Sequence, residues 1–415
     1  MRILYVEAVP AAHAVWPRNV GIDGLRASRR LGITSIVATG NREFYGSSLD
    51  GLVDVWYSCD TTSAEAVAKA AQAAGADLVF SWVDAFVPVA AQAAELLGLE
   101  RVANSRSPAC VRDKSEVRRR LDSCGVRNAR WEVIDLRSGA VHAGAGAPEP
   151  LRGTVGYPAV IKPVDGTGGR DVLHVPDAAA FAAACAAHLN RADYGHHVVP
   201  AHRMICEELL DGELVSVEGM AINGLIEIWG YTDRRHTGQP AYVEIGFAFA
   251  GSAFTPTLDD YARQVVKALG YSNGCFHMEI VLTADGPVLV EFNPRIASGI
   301  YQCIDLATGR STLEEMLRGL YDISAGVLPP PAVAACRTYL LAPDDGVLMG
   351  VAGIAEARSL PGVTEVSVKT SATLLPGAAD RRIGYVQAVG ATRAQSRAMT
   401  EAAIALLTPI LMPGR

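Results

Sequence analysis

The segment from residue 274 to residue 299, GCFHMEIVLTADGPVLVEFNPRIASG, constrains the fold more than any other part of the chain. Polar and apolar residues alternate on both sides of Ala284-Asp285-Gly286, and a period of two predicts two strands joined by a tight turn. Because a one-residue shift in pairing moves every side chain to the opposite face, the loop length decides what the hairpin presents. We expect a three-residue loop with Gly286 in the left-handed conformation, whereas a two-residue loop would divide the acidic residues between the two faces.

With the three-residue loop, one face of the hairpin is polar, because Glu279 lies opposite Glu291 and His277 lies opposite Asn293. Facing carboxylates repel each other unless a cation lies between them. Two carboxylates and an amide suit Mg²⁺, with Mn²⁺ as a substitute, so Glu279, Glu291 and Asn293 are the predicted ligands and His277 a hydrogen-bonded neighbour. The alternative is a solvated face that carries two acids by chance. The opposite face is predicted to be buried and contains Phe276, Met278, Ile280, Leu282, Val288, Val290 and Phe292.

A second unusual segment is glycine-rich: residues 162–171 read KPVDGTGGRD, after an apolar strand predicted over Ala159 to Ile161. A phosphate-binding P-loop requires GxxxxGK[ST] followed by a helix. Here the lysine precedes the glycines and a strand predicted over Asp171 to Val175 follows them, so the order excludes a P-loop. A hairpin tip whose backbone amides face anionic oxygens remains open, as does a plain flexible turn.

The first 105 residues alternate between predicted strands and helices, which is typical of a parallel sheet covered by helices. No GxGxxG follows the first strand, so a dinucleotide cofactor is not supported. The predicted strands are Ile3–Val6, Thr34–Ala38, Val53–Ser58 and Leu78–Ser81, and the predicted helices are Asp23–Leu31, Ala64–Ala74 and Pro88–Leu97.

Composition excludes several classes of protein. The net charge of −7 argues against nucleic-acid binding, which usually requires a basic face. The eight cysteines are widely spaced without a CxxC pair, so we expect free thiols in a reducing cytoplasm. The segment MRILYVEAVP reads as a strand rather than a signal peptide, and no apolar stretch approaches the roughly 20 residues of a membrane helix. We therefore expect a cytoplasmic protein with no membrane or nucleic-acid partner; a homodimer is compatible with the sequence.

Four segments in order resemble the ATP-grasp superfamily: RDKSEVRRRL, YPAVIKPVDGTGGRDV, ICEELLDGELVSVEG and CFHMEIVLTADGPVLVEFNPR. The tail, from LPGVTEVSVKT to DRRIGYVQAVG, resembles the carboxyl-terminal domain of the L-amino acid ligases within that superfamily. The resemblance covers nearly the whole chain and implies a fold that combines α/β and α+β parts. It implies a Rossmann-like amino-terminal domain over residues 1–105, an ATP-grasp domain over 106–328 with a glycine flap at about 155–205, and a carboxyl-terminal α+β domain over 329–415.

The resemblance also implies which residues bind ATP and metal. The implied ATP ligands are the two phosphate-binding lysines Lys114 and Lys162, the flap residues Gly166, Thr167, Gly168 and Gly169, the adenine-reading hinge with Glu207, Glu208 and Leu210, and Glu213 for the ribose. Glu279, Glu291 and Asn293 match the Mg²⁺ ligands. Arg295 matches the arginine that stabilises the transferring charge, and with Lys162 it is implied to be catalytic.

The implied activity is an ATP-dependent carboxylate-amine ligase that acts through an acylphosphate and releases ADP and phosphate. Its substrates would be small carboxylates and amines, amino acids above all, and the product a dipeptide or a similar amide. The residues implied in substrate binding are Arg234, His236, Glu244, Arg295, Ser298 and Gly299, although polar loop residues are often merely solvated. Two alternatives are another ATP-grasp enzyme, such as a biotin-carboxylase-like or purine-pathway ligase, and an ATP-binding module without catalysis.

Overall fold

The computed structural model describes residues 1–9, 19–99, 112–138, 141–143, 155–166, 171–194, 196–237, 243–321, 328–369, 372–374 and 381–412. The strands in these ranges are β1 Arg2–Val6, β2 Thr34–Thr39, β3 Val55–Ser58, β4 Leu78–Phe80, β5 Trp131–Asp135, β6 Val141–Ala143, β7 Ala159–Pro163, β8 Leu173–Val175, β9 Arg203–Glu208, β10 Glu213–Ile222, β11 Leu225–His236, β12 Glu244–Ala250, β13 Gly274–Thr283, β14 Gly286–Asn293, β15 Ala334–Leu341, β16 Gly346–Ala352, β17 Val363–Val368, β18 Ala372–Leu374, β19 Arg382–Gly390 and β20 Thr408–Met412. The α-helices are α1 Val20–Arg30, α2 Ala64–Ala74, α3 Val87–Leu96, α4 Lys114–Ser123, α5 Ala178–Leu189, α6 Leu258–Ala268, α7 Ile300–Thr308, α8 Thr312–Tyr321, α9 Ile354–Ser359 and α10 Arg393–Ile404.

The amino-terminal sheet is parallel, in the order β3-β2-β1-β4. The apolar strand β1 is buried along most of its length, as expected for a central parallel strand with helices on both faces. Helix α1 begins after Asn19, whose side chain accepts a hydrogen bond from the backbone of Ile22, and α2 begins after Ser63, which caps it in the same way. The predicted strand and helix alternation is confirmed.

The glycine-rich segment belongs to an antiparallel sheet of order β6-β5-β9-β7-β8 within the described residues. Strands β7 and β8 pair directly, with Ala159 opposite Val175, so the predicted strand and returning strand are confirmed, whereas the turn predicted between them includes residues 167–170, which lie outside the described residues. Helix α5, capped by Asp177, follows the hairpin as the alanine-rich sequence predicts.

The largest sheet has the order β14-β13-β10-β11-β12-β15-β19-β17 in the described part of the chain. One of its faces packs on the amphipathic helix α6, where Val265 and Phe276 share an apolar cluster. Strands β15, β19 and β17 come from the carboxyl-terminal tail, so the tail extends this sheet through the pairing of β12 with β15. A second small sheet of the tail has the order β18-β16-β20. The mixed character predicted for the fold is thus observed.

Two expectations about the chain as a whole can be compared with the described residues. Every cysteine among them is a free thiol. No helix found there combines the length and the apolar character needed to cross a membrane.

Candidate active site

The β13–β14 hairpin places the two acids as predicted, but by a different route. Thr283 pairs with Gly286, so only Ala284 and Asp285 form the loop and the predicted three-residue loop is wrong, although Gly286 has a positive φ of 121°. A two-residue loop alone would send the acids to opposite faces. The register shifts by one residue between Glu279 and Ile280, and this β-bulge restores the pairing of Glu279 with Glu291.

Val290 is the extra residue of this bulge, since Ile280 pairs with Leu289 and Glu279 with Glu291. The predicted buried face is therefore corrected near the turn: Leu289, rather than Val290, packs in the apolar cluster beside Ile280. The carbonyl oxygen of Val290 accepts hydrogen bonds from Lys162 Nζ at 3.1 Å and Arg118 Nη2 at 3.1 Å. The bulge thus sets the register of the hairpin and also supplies a carbonyl oxygen that holds Lys162 and Arg118.

Each of the facing carboxylates has a cationic neighbour. Glu291 Oε1 lies 2.9 Å from Lys114 Nζ, and Glu279 Oε1 lies 2.9 Å from Arg234 Nη1. Burial would raise the pKa of Glu279, but Arg234, followed by His277, more than offsets this and holds that pKa well below its usual range. Glu279 is therefore ionised at neutral pH, as a metal ligand must be.

The donor set fits a hard divalent cation. The side chains of Glu279 and Glu291 are 21% and 20% exposed, so both carboxylates are accessible to solvent although they lie inside strands. Asn293 lies two residues beyond Glu291, with its amide 3.5 Å from Glu291 Oε2, and contributes a further polar group on the same face. Oxygen ligands of this kind suit Mg²⁺, which keeps several waters and takes other ligands from phosphates.

His277 extends the polar face behind the carboxylates. Its Nδ1 lies 2.9 Å from Glu218 Oε2, and its Nε2 lies 3.4 Å from Glu279 Oε1. Burial alone would lower the pKa of His277, but Glu218 raises it to about 9, so the ring is cationic at neutral pH. The neighbouring role predicted for His277 agrees with these contacts, whereas sequence reasoning missed the buried Glu218.

Lys162 is 4% exposed and is held by a buried carboxylate on the next strand. Glu207 Oε2 lies 2.8 Å from Lys162 Nζ, and Glu207 Oε1 lies 2.7 Å from Arg118 Nε. Burial would raise the pKa of Glu207, yet Arg118 and Lys162 together lower it to about 2. Burial also lowers the pKa of Lys162, and the attraction of Glu207 offsets this in part. The side chain of Glu207 thus positions Lys162, a role the sequence did not suggest.

Lys114 lies at the first residue of α4, directly after the cap Asp113, whose carboxylate accepts from Ser115 N and Glu116 N. Its Nζ donates to the carbonyl oxygen of Gly166 at 2.7 Å and also contacts Glu291. Arg118 follows one helical turn later and therefore shares the face of Lys114. That i, i+4 spacing in DKSEVRRR is the signal that would have identified Arg118.

Arg295 is held by an acid from the amino-terminal sheet. Its Nε and Nη2 both donate to the carboxylate of Asp84, the latter at 2.8 Å, in a two-pronged contact. Asp84 begins a short 3-10 turn after β4, at the carboxyl edge of the parallel sheet, where ligands of such sheets usually bind. Burial alone would lower the pKa of Arg295, but Asp84, then Glu291 and Glu279, raise it. Sequence reasoning missed Asp84, which lies 211 residues from its partner.

The residues predicted to bind the nucleoside lie at the end of β9 and the start of β10. Glu208 pairs with Arg130 at 2.8 Å, and its backbone N–H donates to the carbonyl oxygen of Arg130 at 3.1 Å. Leu210 is half-buried and Glu213 is exposed at the first position of β10. Gly166 is the last described residue before a gap in the flap, and the predicted contacts of Thr167, Gly168 and Gly169 lie outside the described residues.

The predicted substrate residues fall into two groups. Arg234, His236 and Glu244 lie on β11 and β12, where His236 pairs with Glu244 in the ladder and Arg234 Nη2 lies 2.5 Å from Glu244 Oε1. Since Arg234 also contacts Glu279, its charge is already balanced by two carboxylates. Ser298 is exposed and Gly299 precedes α7, four residues after Arg295.

Three family models match the chain: an ATP-grasp N-terminal domain over residues 25–99, an ATP-grasp domain over residues 155–304, and L-amino acid ligase C-terminal domain 2 over residues 338–411. The chain belongs to the ATP-grasp superfamily. The matched segments follow one another in the order that the sequence resemblance implied, so that prediction is confirmed. They also include the hairpin, both carboxylates and Arg295.

Two curated relatives of this ATP-grasp protein match parts of it. Dapdiamide A synthase of Enterobacter agglomerans is 33% identical over 152 residues, which is 36% of this chain and 35% of that protein. The uncharacterized protein y4rH of Sinorhizobium fredii is 27% identical over 315 residues, 68% of this chain and 60% of that protein. The chain thus spans about a third and three fifths of the lengths of these relatives.

Solved structures confirm the ATP-grasp fold across the whole chain. An L-amino acid ligase from Bacillus licheniformis superposes with a TM-score of 0.76 at 18% identity, covering 99% of this chain and 98% of that one. An N5-carboxyaminoimidazole ribonucleotide synthetase from Thermotoga maritima gives a TM-score of 0.66 at 16% identity and covers 99% of both chains. At these identities the likeness shows the fold alone.

Proposed function

We propose that this protein is an ATP-dependent carboxylate-amine ligase that joins two amino acids, or close analogues of them, through an amide bond. Support comes from the similarity to Dapdiamide A synthase and from the matched L-amino acid ligase domain in the tail. The reaction would release ADP and phosphate and pass through an acylphosphate.

The observation that carries the proposal is the convergence of cations and carboxylates on one cleft. The charged and polar residues that line this cleft are Asp84, Arg112, Lys114, Arg118, Glu291 and Asn293. Its other lining residues are Val117, Val290, Phe292 and Pro294. Phosphoryl transfer to a carboxylate presses two anions together, so the site must supply positive charge where they meet. The lining supplies that charge from α4 and the residues just before it, and Lys162 and Arg295 contact the lining residues Val290 and Asp84.

Individual roles follow from the contacts. Lys114 and Lys162 would bind ATP phosphates, and the contact of Glu207 with Lys162 supports this role by holding Lys162 in position. Glu279, Glu291 and Asn293 would hold Mg²⁺, which when bound neutralises charge on the phosphate oxygens. Lys114 contacts Glu291 directly, so nucleotide and metal binding would redirect this lysine toward the phosphates.

The chemistry divides into two steps. A carboxylate oxygen attacks the γ-phosphorus, the bond to the bridging oxygen breaks, and ADP leaves. The amine then attacks the acyl carbon, phosphate leaves, and the amine loses a proton. Arg295, fixed by the two-pronged contact with Asp84, would stabilise the charge that develops in both steps. The glycines of the flap would let the backbone approach the triphosphate closely and close the site to water.

A screen of amino acid pairs for ADP release, followed by mass determination of the product, tests this function. We expect release only when an acyl donor and an amine are both present. Lys162→Ala and Glu291→Gln should each abolish release, while Asp285→Asn, an exposed change in the turn of the same hairpin, should leave it intact. Near-normal turnover by either site variant would contradict the assigned roles.

The same screen separates the alternatives. A biotin-carboxylase-like or purine-pathway ligase would release ADP with bicarbonate or a ribonucleotide amine instead of an amino acid pair. A binding module would retain ATP without releasing ADP under any condition. The tail domain favours the amino acid ligase.

A further inference from the structure

Arg337, on β15, is a buried arginine whose charge is not balanced by an acid. The residue is 5% exposed, and no carboxylate lies within ion-pair distance of it among the residues that the structure describes. Its Nη2 donates to Gln302 Oε1, its guanidinium stacks 3.8 Å from the centre of the Tyr385 ring, and its Nε has no hydrogen-bond partner. A buried cation normally has an anionic partner.

Three other buried or half-buried arginines of this sheet and cleft have such a partner. Arg118 pairs with Glu207, Arg234 pairs with Glu244 and Glu279, and Arg295 pairs with Asp84. Arg337 differs from them because its contacts are uncharged: the amide oxygen of Gln302, that of Gln387 when its amide is turned, and the faces of the Tyr385 and Phe247 rings. Since no acid of the described residues takes this place, the contrast points to an anionic ligand.

The sheet places Arg337 on the same face as the active site. Phe247 pairs with Arg234 on one side and with Arg337 on the other, and directly paired residues share a face. Arg337 is therefore two strands from Arg234, or about 10 Å, and four strands from Glu279, or about 19 Å, at the usual strand spacing. It is near the reaction but too distant to act on the carboxylate that is phosphorylated.

The amino end of α7 completes the site. Gly299 precedes the helix with φ of 84°, and no side chain caps that end. A Cβ added at Gly299 would lie 2.7 Å from Arg337 Nη1, so only glycine allows the guanidinium to approach this close. Helix amino ends attract anions, and the exposed Ser298 beside Gly299 opens this end to solvent.

We propose that Arg337 and the amino end of α7 bind a substrate carboxylate that is not itself phosphorylated. The proposal rests on the ligase function above and names part of its specificity. Two sources share this chemistry: the α-carboxylate of the amine acceptor, and a second carboxylate on the acyl donor. Of the predicted substrate residues, Gly299 and Ser298 belong to this site, whereas the charge of Arg234 is already balanced.

The test compares each acid with its carboxamide. For wild-type protein, we expect kcat/KM for ADP release to fall on the order of 100-fold when the relevant carboxylate becomes an amide, because a buried cation is left without its anion. Arg337→Met should process acid and amide within about 3-fold of each other. Substituting the acceptor and the donor in separate arms identifies which carboxylate is bound. The intrinsic reactivity of acid and amide cancels in the comparison of variant with wild type.

Two further variants guard against misfolding. Arg337→Lys keeps a cation and should retain only part of the discrimination, since a point charge lacks the planar fork. Arg381→Met is the matched control, because Arg381 belongs to the same tail but pairs with Asp345 at 2.8 Å. A structural role for Arg337 would lower turnover with acid and amide equally, and unchanged discrimination in Arg337→Met or Arg337→Lys would overturn the proposal.

Binding measurements separate failure of the site from failure of the ligase function. Thermal stabilisation by free amino acids and their amides can be measured without turnover. Carboxylate-dependent stabilisation that disappears in Arg337→Met, without any ADP release, would support the anion site and reject the ligase. ADP release whose acid preference persists in Arg337→Met would reject the site and keep the ligase, and wild-type protein that shows neither response would reject both.

Discussion

Replacing Glu207 by Gln tests whether the buried contact among Lys162, Glu207 and Arg118 stabilises the ATP-grasp domain. The side chain of Glu207 is 6% exposed, so solvent screens its two cations little. Its pKa is lowered from 4.5 to about 2, and one pKa unit corresponds to 1.36 kcal/mol, which gives about 3 kcal/mol of stabilisation at neutral pH. Glutamine leaves both cations buried without an anion.

The sign of the pH dependence follows from the direction of the shift. Because the folded-state pKa is below the unfolded value, the stabilisation is present above about pH 4.5 and is lost as the pH falls toward 2. About 2 kcal/mol should be lost by pH 3. The difference between wild type and Glu207→Gln should therefore shrink from about 3 kcal/mol at pH 7 to about 1 kcal/mol at pH 3.

Hydrogen exchange read by mass spectrometry on peptides from β7 and β9 measures the opening free energy of this region. The method does not require a chain of several domains to unfold in one step. Glu208→Gln is the matched control, since the adjacent pair with Arg130 is exposed and should contribute less than about 1 kcal/mol. Equal opening free energies for the two variants at pH 7, or a gap that does not narrow at pH 3, would refute the reasoning.

Three further changes probe the cleft. Arg295→Lys should lower kcat more than ATP affinity, because lysine cannot reproduce the two-pronged contact with Asp84. Kinetic and nucleotide-binding measurements on the same variant test this, and equal losses of kcat and ATP affinity would contradict it. Lys114→Met should weaken ATP binding by about 10-fold or more, measured by calorimetry, since it removes a charge at the phosphates. Removing divalent cations with a chelator should stop ADP release, and added Mg²⁺ or Mn²⁺ should restore it; release that continues in excess chelator would exclude the metal role of Glu279 and Glu291.

The sequence predicted the polar face of the β13–β14 hairpin because alternation in strands depends only on local order. It did not predict the bulge at Val290, since nothing in GPVLVEF distinguishes the residue that will be left unpaired. The pairing of Asp84 with Arg295 and of Glu207 with Lys162 also escaped prediction, because each depends on how distant elements pack. Arg118 was within reach, since it lies one helical turn after Lys114.

Strand β15 joins the tail to the catalytic sheet, and this continuity affects how the enzyme could be altered. A chain that ends before residue 334 would lack β15, and β12 would then be an unprotected edge strand that could pair with other molecules. The same sheet carries Glu279 and Glu291 near one edge and Arg337 toward the other. An exchange of tails between related ligases should therefore keep the pairing register of β12 with β15, because a shift of one residue would move Arg337 to the opposite face of the sheet, away from its proposed ligand.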